Sequence, residues 1–233
     1  MRSTLMLLSL SASLAVTLVA CTTVRPELPA ALAQDAATLP ITGANGLRGT
    51  VRMQTLDGRE VRAPYRGYGR STTFFDTAQR KLFKTRFTVE VEDTPPLSAD
   101  CRADVQNETL NQIGVTVQTT PMTYGCVFER GGQRVGTLDL SELGEGRVAG
   151  RSATLRLDGR TLDVFSLHRD DVSGITLAYP IAYEFREGGR VVGSVNVAGD
   201  RALVVKRDLD PETEEAVRLG AVALSVLSDP ATS

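Results

Sequence analysis

The 233-residue chain contains no tryptophan and a single histidine, and these shortages narrow the chemistry that it can support. A histidine-based metal site or catalytic base would have to form around His168 alone. The chain also lacks the motifs H-E-x-x-H and G-x-S-x-G and a P-loop, which are common signatures of enzymes. The absence of tryptophan disfavours a dedicated carbohydrate platform. The residues therefore predict no catalytic residue, no metal and no cofactor, and favour a protein that is not an enzyme.

His168 lies in the segment SLHRDDVSG, close to Asp170 and Asp171. Histidine and aspartate side chains can bind metal ions. However, side chains at neighbouring positions of one loop rarely form a metal site without ligands from other parts of the chain. The triplet H-R-D resembles the kinase catalytic loop, yet the required Asn and a Gly-rich ATP loop are absent. A solvated hairpin loop is the alternative interpretation. The three residues are nevertheless a candidate surface site.

A second candidate surface is the segment YRGYGRSTTFF, residues 65–75. Its mixture of tyrosine, arginine and phenylalanine is compatible with binding a sugar or an anion. It is equally compatible with a strand and turn that carry ordinary aromatic residues.

The N-terminus, MRSTLMLLSLSASLAVTLVAC, has one basic residue before an apolar run. The run is shorter than the roughly 20 apolar residues that a membrane-spanning helix needs, and its layout is that of a secretory signal. The last four residues, Leu18-Val19-Ala20-Cys21, resemble the lipobox of bacterial lipoproteins. That resemblance implies a signal peptide over residues 1–20 and a lipidated Cys21. A plain cleaved signal with a chance cysteine is the alternative.

Thr22, rather than aspartate, follows the cysteine. By the sorting rule of lipoproteins, this implies anchoring at the periplasmic face of the outer membrane. The membrane is then a partner through the lipid, and another envelope protein or lipid is a further candidate partner. Removing residues 1–20 takes away one arginine and leaves 25 Lys and Arg against 28 Asp and Glu, a net charge of −3. This balance predicts no nucleic-acid partner.

With Cys21 lipidated, Cys101 and Cys126 remain. An exported chain reaches an oxidising compartment, where two remaining cysteines most simply pair. The sequence therefore predicts a structural disulfide. A reactive thiol is the alternative, but no C-x-x-C motif surrounds either residue.

The composition and the residue pattern of the chain change near Gly46. Residues 21–45 are rich in Ala, Thr and Pro without a sustained period, which predicts a flexible tether. From there to residue 230, short alternating runs are separated by dipeptides typical of β-hairpin turns. These are Asp57-Gly58, Gly131-Gly132, Asp158-Gly159 and Gly188-Gly189. Further strands are predicted in the segments 83–92, 114–120, 174–180 and 201–207. The total is about twelve strands in a single antiparallel domain over residues 46–230.

Two predicted hairpins resemble each other. Residues 128–140 and 185–197 align without gaps as F-x-x-G-G-x-x-V-G-[TS]-[LV]-x-[LV]. A gapped likeness continues upstream of each. Internal duplication is one interpretation, and the general similarity of Gly-Gly hairpins is the other.

The segment 211–228 predicts a helix. Asp210 is a favourable N-cap, Pro211 suits the first helical position, and Asp229-Pro230 ends the pattern. The helix is apolar on every side, which indicates burial on every side, and it is too short to span a bilayer. Closing the sheet around it would bury the helix and remove the sheet's edges. The fold predicted is a mainly β antiparallel barrel of about twelve strands around a hydrophobic C-terminal helix, with a β-sandwich and a packed helix as the alternative.

This layout resembles the tubby C-terminal-like fold, which includes the LURP-one-related proteins and the phospholipid scramblases. The likeness covers about residues 46–230 and consists of hairpin, last strand, acidic helix start and apolar helix. Tubby proteins bind phosphoinositides through basic residues on the barrel wall, but no motif places that site here. The sequence predicts a non-enzymatic, lipid-anchored envelope lipoprotein that acts as a binding or structural scaffold. Alternatives are a carrier of an apolar or lipid ligand and an unrecognised periplasmic hydrolase.

Overall fold

A computed structural model describes residues 24–32, 34–74, 78–110, 115–143 and 148–227. Twelve antiparallel strands form one sheet, in which β2 to β12 follow one another as a meander and β1 pairs with β12. A short 3-10 helix, Ala30–Leu32, precedes the first strand. The elements are β1 Ala36–Pro40, β2 Arg48–Gln54, β3 Glu60–Phe74, β4 Ala78–Val91, β5 Leu97–Leu110, β6 Val115–Arg130, β7 Gln133–Leu143, β8 Gly150–Leu157, β9 Arg160–Leu167, β10 Ala182–Glu187, β11 Arg190–Asn196, β12 Ala202–Lys206 and helix α1 Pro211–Ser225.

The sheet closes almost completely between its two outer strands. Just after β1, Thr42 and Arg52 of β2 exchange two backbone hydrogen bonds of 3.0 Å each. Near the same junction between β1 and β2, the guanidinium of Arg201 donates to the carbonyl of Ala44. Closure satisfies backbone groups that an open edge would leave unpaired. The predicted barrel is confirmed, and the alternative β-sandwich is not formed.

The four hairpins predicted from turn dipeptides are confirmed. At the β6–β7 turn, Gly131 and Gly132 have φ of 60° and 79°. At the β10–β11 turn, Gly188 and Gly189 have φ of 55° and 83°. A two-residue hairpin turn of this hand needs positive φ at both positions, which glycine adopts without steric cost.

Two sequence predictions about loops are wrong. Residues 174–180 form no strand, because the side chain of Asp170 accepts the Ser173 backbone N–H at 2.9 Å and bends the chain, and Pro180 has no N–H to contribute. The predicted tether also extends too far, because residues 36–40 form β1. This strand is only five residues long, too short for a clear alternating pattern, and its pairing with β12 defines it.

The two similar hairpins share an irregularity. Each contains a β-bulge directly after its phenylalanine, Phe128 in one and Phe185 in the other. Each phenylalanine is fully buried and is paired with a glycine, Gly136 or Gly193. The likeness does not extend upstream, where one segment belongs to β6 and the other, residues 174–180, is a loop.

Helix α1 is enclosed by the barrel. Every residue from Ala216 to Ser225 is buried, including Arg218. The helix contacts β8, β9, β11 and β12, and from the opposite wall the Tyr124 hydroxyl of β6 donates to the Ala223 carbonyl at 2.9 Å. That bond satisfies a carbonyl of the last turn, which has no partner within the helix. The predicted start is confirmed, whereas the predicted end at Ser228 is too late, because the helix ends at Ser225 and Val226, with φ of −97° and ψ of 1°, already caps it.

A glycine lets the helix approach the wall closely. A Cβ atom at Gly220 would lie 2.6 Å from a ring carbon of Phe185 and 3.0 Å from a methyl of Leu155. Real side chains do not tolerate such contacts, so the absence of a side chain at Gly220 is what allows this packing.

The predicted disulfide is confirmed. Cys101 of β5 and Cys126 of β6 are directly paired residues, and their sulfur atoms are bonded. Both cysteines are buried in the core. The bond therefore joins two long neighbouring strands within the core.

The helix N-cap predicts a pH dependence of stability. The Thr213 backbone N–H and hydroxyl both donate to the Asp210 carboxylate, at 3.0 and 2.8 Å. These bonds, with Arg160 nearby, lower the pKa of Asp210 to about 2 from an ordinary 3.8. Because the folded pKa is the lower one, this contribution is complete above the ordinary pKa and is lost as the pH falls toward 2.

Asp210→Asn keeps a capping side chain but removes the charge. We expect the melting temperature of the parent protein to fall more steeply than that of the variant between about pH 4 and pH 2. Thermal melts followed by circular dichroism measure both profiles. Parallel profiles would show that the charge on Asp210 adds nothing to stability.

Candidate functional site: a basic groove on the outer wall

The outer face of β2, β3 and β4 carries an unusual density of cations. On β3 the side chains alternate strictly: Val61, Ala63 and Tyr65 are buried in the core, whereas Arg62 and Arg66 are exposed. This alternation follows from the period of two along a strand. The strand pairing then determines which exposed side chains are neighbours.

The register places like charges directly opposite one another. Arg66 of β3 is paired with Arg48 of β2 on one side and with Arg86 of β4 on the other. One step further, Lys84 of β4 is opposite Arg102 of β5. Side chains at such positions have Cβ atoms roughly 5 Å apart, and like charges there destabilise the sheet. Repulsion between these side chains opposes the pairing of the strands, which points to a function outside the fold.

These side chains line an open groove of about 380 Å³. We call it the basic groove; it is formed by Arg48, Arg66, Gly67, Tyr68, Lys84 and Arg86. Tyr68 is 62% exposed, the highest value among the exposed large apolar and aromatic side chains of the described residues. A neighbouring open depression of about 630 Å³ shares Arg66 and Arg86, which extends the surface along the wall.

The electrostatics of the groove are only partly balanced within the protein. Arg86 forms an ion pair of 2.6 Å with Asp100 at the edge of the groove. Among the described residues, no carboxylate forms an ion pair with Arg48, Arg66 or Lys84. Guanidinium groups bind carboxylate and phosphate through paired hydrogen bonds, and a lysine ammonium adds a point charge. The chemistry of the groove is therefore that of an anion-binding surface.

The local fold fixes the position of the groove. The Gly67 backbone N–H donates to the Leu47 carbonyl at 2.5 Å, which joins the start of β2 to β3. This bond holds Arg48 beside Arg66. The predicted surface at 65–75 contributes Arg66, Gly67 and Tyr68. Sequence reasoning missed the groove residues on β2 and β4, because only the register of the strands brings them to the same face.

The predicted candidates His168, Asp170 and Asp171 organise a loop. His168 is half-buried, with Nδ1 3.1 Å from the Leu177 carbonyl and Nε2 2.9 Å from the Ser166 hydroxyl. Burial lowers the pKa of His168, so the neutral ring fits this site, with Nδ1 donating and Nε2 accepting.

The two aspartates have different environments. Asp170 is buried, and its carboxylate accepts the backbone N–H groups of Arg25 and Ser173. The hydrogen bonds from Ser173 lower the pKa of Asp170. Asp171 is exposed, and its backbone N–H donates to the Arg25 carbonyl. These contacts shape the loop and do not converge on an open site.

Ser166 is a polar residue near His168 that the sequence did not single out. Its hydroxyl accepts the Arg151 backbone N–H at 2.7 Å and contacts Nε2 of His168. Ser166 lies on β9, and His168 follows directly after the end of that strand. A spacing of two residues along an extended chain places both side chains on one face, and this spacing was the available signal. The serine–histidine distance is compatible with nucleophile and base, although the bond to Arg151 gives Ser166 a structural role as well.

Cys21 lies outside the described residues. Within the described part of the chain, no group of three His, Cys, Asp or Glu side chains is placed to hold a metal ion. No helix there combines the length and apolar character needed to cross a membrane.

Comparison with family models, with curated proteins and with solved structures gives no match to this chain. The resemblances to lipoprotein signals and to the tubby C-terminal-like fold therefore stay predictions.

Proposed function

We propose that the protein is a lipid-anchored envelope lipoprotein that acts as a non-enzymatic binding scaffold, and that its basic groove binds a partner bearing phosphate or carboxylate groups. The observation that carries the proposal is the set of cations in the basic groove, of which Arg48, Arg66 and Lys84 have no carboxylate ion-pair partner among the described residues. An anionic partner would relieve the repulsion within the row and would gain charge-assisted hydrogen bonds.

The filled barrel favours the outer wall over the interior as the binding surface. The helix residues Ala216 to Ser225 are buried on all sides. A lumen that is filled by protein side chains has no room for an enclosed ligand. This argues against the alternative of a carrier that holds an apolar ligand inside the barrel.

A hydrolase is the second alternative, and the 2.9 Å contact between Ser166 and His168 is the observation that favours it. Labelling by a fluorophosphonate probe, abolished in Ser166→Ala, would support catalysis. Absence of labelling in the folded protein would leave Ser166 with its structural role alone.

The proposed anchor is the lipidated Cys21, and the proposed location is the periplasmic face of the outer membrane. The Leu18-Val19-Ala20-Cys21 box and the following Thr22 support this. Cys21→Ser should leave the protein soluble or unprocessed in cell fractionation. Unchanged partitioning with the outer membrane after that substitution would contradict lipid anchoring.

A matched pair of variants tests the groove. The groove variant is Arg48→Gln, Arg66→Gln and Lys84→Gln. The control variant is Arg134→Gln, Arg156→Gln and Arg207→Gln, which removes the same charge from exposed positions elsewhere. Isothermal titration of the mature protein with inorganic polyphosphate and with polyglutamate separates phosphate from carboxylate recognition.

We expect the groove variant to lose affinity at least about ten-fold, because each hydrogen bond between charged groups contributes about 1.5–3 kcal/mol. The control variant should bind nearly as well as the parent protein, and added salt should weaken binding in both. Equal affinity of the groove and control variants would contradict a specific site on this wall. Absence of binding to both polymers would contradict an anionic partner.

A further inference from the structure

The helix gives the barrel two distinguishable ends. At one end, the backbone N–H of Leu56 in the β2–β3 turn donates to Glu214 in the first turn of α1. The antiparallel meander places the β6–β7, β8–β9 and β10–β11 turns at this same end, which we call the turn end. The β7–β8 and β9–β10 connections consequently lie at the other end, near the last turn of the helix, where Tyr124 contacts Ala223. We call this the loop end.

Exposed apolar side chains are concentrated at the loop end. Three belong to the β9–β10 connection, two flank the β7–β8 connection, and Leu47 directly precedes β2. Tyr68 lies on the wall, in the middle of β3 and in the basic groove. The eighth, Leu28, follows the segment that pairs with Arg169. In the described part of the chain these are Val172, Ile175, Tyr179, Leu143, Val148, Leu47, Tyr68 and Leu28. Scattered apolar residues are ordinary on a surface, but a one-sided set marks an interaction surface.

The N-terminal segment is fixed at the same end. The Arg25 backbone N–H donates to the Asp170 carboxylate at 2.8 Å, and the Asp171 N–H donates to the Arg25 carbonyl at 2.8 Å. Glu27 continues this pairing with a backbone bond of 2.9 Å and an ion pair of 2.9 Å to Arg169. The β9–β10 connection thus holds the chain that leads back to the N-terminus.

The covalent chain limits the distance to the anchor. Cys21 precedes Arg25 by four residues, and a fully extended chain spans at most about 3.6 Å per residue. The lipid attachment point therefore lies within about 14 Å of Arg25. Arg25 contacts Asp171, so this attachment point is also close to Val172 and Ile175, whose side chains are exposed.

We propose that the loop end docks on the lipid bilayer that holds the anchor, with Val172 and Ile175 entering the interfacial region. This inference rests on the proposed lipidation of Cys21. A lipid anchor combined with a second contact binds a membrane more firmly than one chain alone, and apolar side chains beside the anchor supply that contact. Arg25 adds a cation near the surface, Arg169 is balanced by Glu27, and Asp171 stays at the aqueous margin. The charged turns of the turn end then point away from the membrane.

The absence of tryptophan provides a direct test. Ile175→Trp places a single fluorophore at the loop end. Gln133→Trp places one at an exposed position beside the β6–β7 turn, at the turn end. Each lipidated, full-length mature protein is reconstituted into phosphatidylcholine vesicles with or without brominated acyl chains. Flotation records whether the protein is anchored, and fluorescence records the depth of each tryptophan.

Docking predicts a blue-shifted emission and strong quenching by brominated lipid for Ile175→Trp, with neither effect for Gln133→Trp. Adding Val172→Asp to Ile175→Trp should reduce the quenching while flotation and β-sheet circular dichroism persist. If the protein floats with the vesicles but Ile175→Trp is unquenched, or if both positions are quenched alike, the docking proposal is overturned and the anchor stands. If the protein does not float, the proposed lipid anchor fails, and docking fails with it.

Discussion

Truncation of the chain after Asp210 is expected to abolish folding of the whole domain. The removed helix contributes an unbroken run of buried residues, Ala216 to Ser225, to the centre of the barrel. Burial of one large apolar side chain contributes roughly 1.5–3 kcal/mol. The summed contribution of several such side chains is therefore a large share of a typical free energy of unfolding of about 5–15 kcal/mol. Circular dichroism should show loss of the β-sheet signal and of a cooperative melt.

A single substitution makes the same test without shortening the chain. Leu224 is 2% exposed, and Leu224→Asp would force a charge into the apolar core, which a folded domain can hardly tolerate. Leu224→Met is the matched control, since a swap that conserves volume usually costs under about 1.5 kcal/mol. If the aspartate variant or the truncated chain kept a cooperative β-sheet melt, the helix would not be the core of the barrel.

Removal of the disulfide is expected to lower the free energy of unfolding by about 3 kcal/mol in the chain-entropy description. The bond closes a loop with a sequence separation of 25 residues, between paired positions of β5 and β6. The double variant Cys101→Ala and Cys126→Ala removes it without placing hydroxyl groups in the core. Urea unfolding monitored by circular dichroism gives the difference between the variant and the parent protein.

Reducing agent supplies the internal control for this prediction. It should shift the unfolding midpoint of the parent protein toward that of the alanine variant, and it should leave the variant unchanged. Equal midpoints for the oxidised parent and the variant would show that the bond contributes no stability. Alkylation of both thiols in the folded, exported protein would contradict the disulfide itself.

The features that the sequence predicts well are those with local physical causes. Asp210 and Pro211 define a helix start through their own side chains, and Gly131-Gly132 defines a turn through its permitted φ values. The enclosed position of the helix followed from its apolar surface, because a helix that is apolar on every side is buried on every side, and a closed sheet provides that burial.

The features that the sequence could not predict depend on distant pairing. Residues 36–40 become a strand because β12 offers them an unpaired edge. Residues 174–180 resemble a strand by composition, but Asp170 and Pro180 end the backbone pairing. The basic groove combines β2, β3 and β4, and its charge density is visible only after the register places Arg48 beside Arg66. Overall composition gave no hint of it, because the net charge of the chain is −2.

Hydrogen exchange, measured by mass spectrometry with and without bound polyphosphate, tests the two central claims most directly. These are that the helix fills the barrel and that an anionic partner binds on the outer wall. We expect the amides of Ala216 to Leu224 to exchange slowly in both states, because the helix opens only with the whole domain. Added polyphosphate should slow exchange in β2, β3 and β4 around the basic groove and leave the helix unchanged. Rapid exchange throughout the helix would contradict the filled barrel, and protection by polyphosphate confined to the helix would contradict binding on the outer wall.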